Sequence, residues 1–403
     1  MKCLYRRKRK HWGRLLIAAA LALCLSLLFF PAAAAAEEES GQEALLGSVE
    51  EILAQLDTGA LQDYLDSLSA EQREMFGASV KDKIGALISG NYAVDYSDAF
   101  SALFGLVFDD LAELIPVFCV ICAIVILCGI LDRFKSSLSG SGTAKLIFFV
   151  GYAAVLVLIL SSLTGVIADC GGAVDSMQSQ MQAVFPVLLT LIATSGGSVS
   201  VAVYQPAVLF LSEVIVRIVA GVVFPLATLI CVLNMAGHMS GEIRLKNFCA
   251  LFSGVIKWLL GITLAAFTVF LTVQGITSAT YDGLSFKAIK YAVSNSVPII
   301  GGFVGGGLDL VIAGSVLIKN SVGICGVLLL AIVLAVPLVQ LAAYHLFLRL
   351  TAAVTEPMGE ANISDFLSSL AGTVNFFTAG LVCTGFMYFI TVLLLICSSN
   401  ALF

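Results

Sequence analysis

Residues 297–350 read VPIIGGFVGGGLDLVIAGSVLIKNSVGICGVLLLAIVLAVPLVQLAAYHLFLRL. The stretch is apolar almost throughout, yet glycines, Pro298, Pro337, Asp309, Lys319 and Asn320 interrupt it. A plain membrane anchor needs none of these. Charge or irregular backbone at bilayer depth survives only where folded protein or enclosed water shields it, because hydrocarbon offers no hydrogen bonds. The stretch therefore reads as the interior of a polytopic α-helical membrane protein.

The composition agrees: 59% of the 403 residues are hydrophobic, 12% are charged, and the mean hydropathy is +1.02. Soluble domains carry about 25% charged residues. The net charge of −6 gives no reason to expect nucleic acid as a partner. That sum also conceals a segregation of charge. Residues 1–14 hold seven Lys or Arg and no acid, whereas residues 37–108 hold fourteen acids against Arg73, Lys81 and Lys83.

Basic residues, an apolar run over 15–30, Pro31 and then alanines to Ala36 make residues 1–36 a secretory signal, cleaved or kept as an anchor. Residues 37–108 follow as an acidic extracytoplasmic segment. Leu45, Val49, Ile52, Leu53 and Leu56 recur at helical spacing, and Ser69-x-x-Gln72 is a capping box opening a helix with Phe76, Val80, Ile84 and Leu87. Two or three short amphipathic helices are expected, packed on each other or on the bilayer, or docking a partner. Phe100, Phe104 and Phe108, spaced by four, suggest a run along the interface.

Residues 109–403 form the multipass domain, with six to seven spans expected. Spans fall at 111–131 and 146–168, joined by a basic and hence cytoplasmic turn containing SGSGTAK, and an outer loop carries Asp169 and Asp175. The apolar region 184–233 is too long for one span. A re-entrant hairpin over 184–203 keeps Arg244, Lys246 and Lys257 inside, as the orientation rule prefers. Glu213 and Arg217 lie four apart on one helix face, which suits an ion pair or, less simply, a polar pathway. A span at 258–277 leads to an outer loop with Asp282, Lys287 and Lys290, and the last span covers 372–397.

Lys145 and Lys257, Gly171 and Gly283, Pro186 and Pro298, and Pro225 and Pro337 share an offset of 112 residues. Residues 145–238 and 257–350 can thus be read as two copies of one unit, each with a proline-started re-entrant segment. Paired broken segments are where transporters place their sites. The candidate polar or hinge positions are Pro186, Glu213, Arg217, Pro298, Gly301, Gly302, Asp309, Lys319 and Asn320. Asp309 and Lys319 can equally be structural, capping helix ends.

No catalytic, cofactor or metal residues stand out. Cys119 and Cys122 form a lone C-x-x-C inside an apolar segment and read as packing, and the three histidines have no zinc spacing. Neither a His-Glu metal motif nor a Ser-Lys arrangement is present, so an enzyme is not expected.

Tyr281-Asp282-Gly283 with Phe286 and Lys290, Val297-Pro298-Ile299-Ile300-Gly301-Gly302, Ile318-Lys319-Asn320-Ser321-Val322-Gly323 and Glu356-Pro357-Met358 follow in order behind a signal and an acidic helical segment. In this the chain resembles the stage III sporulation protein AE family of endospore-forming bacteria. The resemblance implies a multipass protein of the mother-cell membrane surrounding the forespore. It further implies a transenvelope, secretion-like channel complex with ring-forming proteins, a secretion-type ATPase and a forespore partner. A stand-alone secondary transporter, with its site at the broken segments, is the alternative.

Overall fold

In the computed structural model, the described residues are 47, 49, 51–89 (without 54, 55 and 78), 105, 112, 114–127, 130, 141–239 (without 196), 245–296, 301–358 and 361–398. The signal, the Phe100 to Phe108 run and Pro298 lie outside them. Among the described residues there are helices and no strands, and five helices are long and apolar enough to cross a membrane. The protein is an all-α polytopic membrane protein.

Three short helices come first: α1 (Gly59–Ser67), α2 (Ala70–Phe76) and α3 (Val80–Ile88). The expected capping box is present, with Gln72 N donating to Ser69 Oγ and Ser69 N donating to Gln72 Oε1, each at 3.2 Å. Ser79 caps α3 in the same way through Asp82 N. Gly77 closes α2 at φ 81°, a left-handed conformation that glycine adopts without strain. Phe76, Val80 and Ile84 are buried, as their helical spacing predicts, and Leu61 and Leu65 of α1 are buried with them.

The apolar helix α4 (Leu114–Leu127) precedes five long elements. These are α5 (Ser141–Thr194), α6 (Ser198–Ile218) continuing through a π turn (Val219–Val223) into α7 (Phe224–Met239), α8 (Lys246–Ser296), α9 (Gly301–Thr355) and α10 (Ala361–Ser398). Ser162 meets Tyr344 and Gln180 meets Gly326, so α5 and α9 run antiparallel. His345 with Ala371 and Lys319 with Ile396 set α9 antiparallel to α10 in the same way. Tyr152 with Met235 and Gln178 with Glu213 pair α5 with the α6–α7 rod. The most buried layer lies where α5, α9 and α10 meet, around Phe185, Tyr344, Phe377 and Tyr388.

Among the described residues, the loops expected before the re-entrant segments are not found. No loop interrupts α5 at 169–183; the helix continues through Pro186 to Thr194 and turns at 195–197, within the hairpin expected over 184–203. Pro186 sits on an exposed face, while its neighbours Val184, Phe185, Val187 and Leu188 are buried, so packing outweighs the local penalty of the proline. Likewise the expected loop around Asp282 to Lys290 lies inside α8, and Gly301, Gly302 and Asp309 lie inside an unbroken α9. The second half of SGSGTAK is the first turn of α5 rather than a flexible turn. A shift of 112 residues carries the 195–197 turn onto 307–309, within α9, so the two halves do not turn at matching positions.

Helix length explains the arrangement. A helix of 54 residues is about 81 Å long at 1.5 Å per residue, against about 30 Å of bilayer hydrocarbon. Much of each long rod therefore lies outside any single bilayer.

Candidate functional site

The Lys319 side chain is completely buried between α9 and α10. Its Nζ donates to the carbonyl oxygen of Ile396 at 2.6 Å. Ile396 lies in the last turn of α10, where carbonyls have no partner further along the helix and the dipole presents partial negative charge. Lys319 thus acts as a cap supplied by a neighbouring helix. Four residues on, a Cβ at Gly323 would fall inside the van der Waals envelope of the Ile396 side chain. Lys319 and Gly323 therefore serve one purpose, seating the end of α10 against α9. Asn320 next to them has a buried Oδ1 without a hydrogen-bond partner, as does Ser315 Oγ.

Other glycines repeat the close approach. A Cβ on Gly385 would stand 2.8 Å from Leu334 Cδ2, and one on Gly380 would stand 2.7 Å from Phe224 Cε1. Small residues where apolar helices touch let their backbones come close, which gives the packing that associates helices in a membrane.

Glu213 and Arg217 do form the ion pair that their spacing suggested, with Nε to Oε1 at 2.7 Å. Gln178 Nε2 on α5 donates to the other carboxylate oxygen. The pair is at the surface, with the Arg217 side chain 78% exposed. Lys319 and this pair thus use separate partners on different helices, and the structure does not gather them into one polar centre. The side chain of Asp309 is not among those described.

A second set of polar contacts was not expected from the sequence. Gln180, fully buried, donates through Nε2 to the Gly326 carbonyl at 2.8 Å and so ties α5 to α9. Tyr388 on α10 brings its Oη against Gly326, 3.4 Å from where a Cβ would lie. Gln180 Oε1 and Tyr388 Oη are both buried without a hydrogen-bond partner. Beside them, Met181, Phe185, Leu211, Phe267, Tyr388 and Thr391 line a cavity of about 10 Å³, room for one water. Gln180 is one of several polar residues in the run 175–182, and nothing in that run singles it out.

Over this region lie α1–α3. Tyr64 Oη and Ser176 Oγ share a hydrogen bond at 3.0 Å. Burial pushes the Tyr64 hydroxyl up to about 12, the bond to Ser176 pulling it back somewhat. Lys83 donates to the Phe76 carbonyl and lies 4.7 Å from the centre of the Phe76 ring. Its pKa is lowered by burial, with the neighbouring Cys325 acting in the opposite sense. The acidic segment is thus a layer packed on the middle of α5 and α9. Cys119 and Cys122 on α4 are free thiols, and among the described residues no cluster of His, Cys, Asp or Glu could hold a metal.

No solved structure matches this chain. Over 351 residues it is 26% identical to the stage III sporulation protein AE of Bacillus subtilis (strain 168), covering 87% of this chain and 88% of that protein. Residues 78–399 match the stage III sporulation protein AE family, taking in α3 and every long helix that carries the contacts above. The chain belongs to the stage III sporulation protein AE family, and it is a membrane protein of sporulation.

Proposed function

We propose that this protein is a non-enzymatic membrane subunit of the transenvelope, secretion-like complex that joins mother cell to forespore. It sits in the mother-cell membrane around the forespore and serves there as platform or part of the channel. The apolar half of α5, with Val157 and Val150 exposed, spans the bilayer. The half carrying Asp169, Asp175, Gln178 and Gln182, under α1–α3, stands in the space between the two membranes. The observation that carries this reading is that α5 and α9 outrun one bilayer and bear a layer of amphipathic helices on the excess length. Such a projecting body suits contact with ring-forming proteins and a forespore partner on one side. A secretion-type ATPase would engage the opposite, cytoplasmic side.

A stand-alone transporter would bring its intramembrane charges to a common site. The separate duties of Lys319 and of the Glu213–Arg217 pair favour the subunit reading instead. Affinity purification from sporulating cells, after mild crosslinking, is expected to recover the protein with other sporulation envelope proteins. Purified alone in vesicles, it is expected to move no solute. Solute uptake by the protein alone, with no partners recovered, would overturn the proposal.

A further inference from the structure

Where α5, α9 and α10 meet, two buried polar atoms have no hydrogen-bond partner among the described residues, Gln180 Oε1 and Tyr388 Oη. Both side chains are completely buried. The orientation of the Gln180 amide is set by its neighbour: the Gly326 carbonyl can only accept, so the nitrogen faces it at 2.8 Å and the oxygen is left over. Tyr388 approaches the same glycine, its Oη 3.4 Å from where a Cβ on Gly326 would lie. Unmade hydrogen bonds at buried atoms are costly, and native proteins keep few of them. These two are complementary, since an amide oxygen only accepts and a phenol can donate.

We propose that one water molecule is bound at this junction, accepting from Tyr388 Oη and donating to Gln180 Oε1. Tyr388 lines the cavity of about 10 Å³ described above, as does Met181, the residue after Gln180, and that volume suits a single water. An apolar cavity of this size stays dry. This one is also lined by Ser212 and Thr391, whose hydroxyl protons go to the carbonyls of Leu209 and Met387 at 2.9 and 2.8 Å. Their oxygens can still accept the second proton of the water. Gln180 then ties three helices, holding α9 through its nitrogen and α10 through its oxygen and the water. Apolar contacts between helices are non-directional, whereas a satisfied polar network fixes one register. The inference rests on neither the bilayer placement nor the complex proposed above.

The test uses full-length protein in detergent. Tyr388→Phe removes only the hydroxyl and keeps the ring against Phe185, whose centroid is 5.5 Å away. With the water in place, the variant takes away its donor, and the melting temperature is expected to fall by roughly 1–3 °C. An unhydrated hydroxyl predicts the opposite, since its removal relieves a buried polar atom. Gln180→Leu is expected to cost more, because the bond to Gly326 goes as well. In the Gln180→Leu background, Tyr388→Phe is expected to cost less than half of what it costs alone, its acceptor being already gone. A structure at a resolution that shows water is expected to place a density peak within hydrogen-bond distance of both atoms. A melting temperature raised or unchanged by Tyr388→Phe, additive losses in the double variant, or a direct bond between Oη and Oε1 with no water between them would overturn the proposal.

Discussion

At the scale of single residues, Lys319 shows how a charge in an apolar run acquires its place. The sequence allows it two roles, a polar site or a helix cap, and the bond to Ile396 favours the cap. Lys319→Ala removes the bond to the half-buried Ile396 carbonyl in the last turn of α10 and leaves a void, a loss of about 1–3 kcal/mol. The expected outcome is a lower melting temperature in detergent and less protein in sporulating cells; full abundance with failed sporulation would point to a functional charge instead. Tyr64 offers a pH test. Its hydroxyl titrates near 10.0 when unfolded and about 12 when folded, so the folded state holds the proton more tightly. Its contribution is complete below pH 10 and is lost as pH rises towards 12. Ultraviolet titration of tyrosinate should show a late-titrating component that Tyr64→Phe reduces by one group. Gln180 and Tyr388 were not legible in the sequence, because only the meeting of three helices at Gly326 gives them a role.

At the scale of elements, the regular signals hold, and the punctuation holds at the 195–197 turn but not at the polar runs before it. The Ser69 capping box and the spacing of Phe76, Val80 and Ile84 are local, and they survive into the fold unchanged. Prolines, glycines and polar runs suggested breaks at 169–186 and 297–316, yet α5 and α9 run through as far as they are described. Propensity penalties of a few kcal/mol are outweighed when long helices pack along their whole length. Pro186 lies inside a continuous helix, which favours a packing role over a hinge. Pro186→Ala is expected to leave spore formation at wild-type level and to raise thermal stability, by up to about 3 kcal/mol. A clear loss of sporulation in a stable Pro186→Ala protein would restore the hinge.

At the scale of the whole molecule, the all-α membrane class was evident from composition, whereas the height of the bundle was not, since hydropathy cannot distinguish apolar surface facing lipid from apolar surface facing protein. Accessibility separates them. In a cysteine-free background, Gln182→Cys on the exposed face of α5 should react from outside with a membrane-impermeant maleimide, and Val157→Cys should not. Equal protection of both would place the upper half in hydrocarbon. The π turn at Val219–Val223 has a consequence of its own at this scale. It inserts roughly one residue of extra rotation into the α6–α7 rod, so everything after it is phased about 100° away from where an uninterrupted helix would point. That phase directs Asn234 at Thr373 and sets the Met235 carbonyl opposite Tyr152. Shortening the rod there by a single residue would leave its hydropathy almost unchanged while swinging these groups off their partners, so the length of this turn is a tighter constraint than its composition.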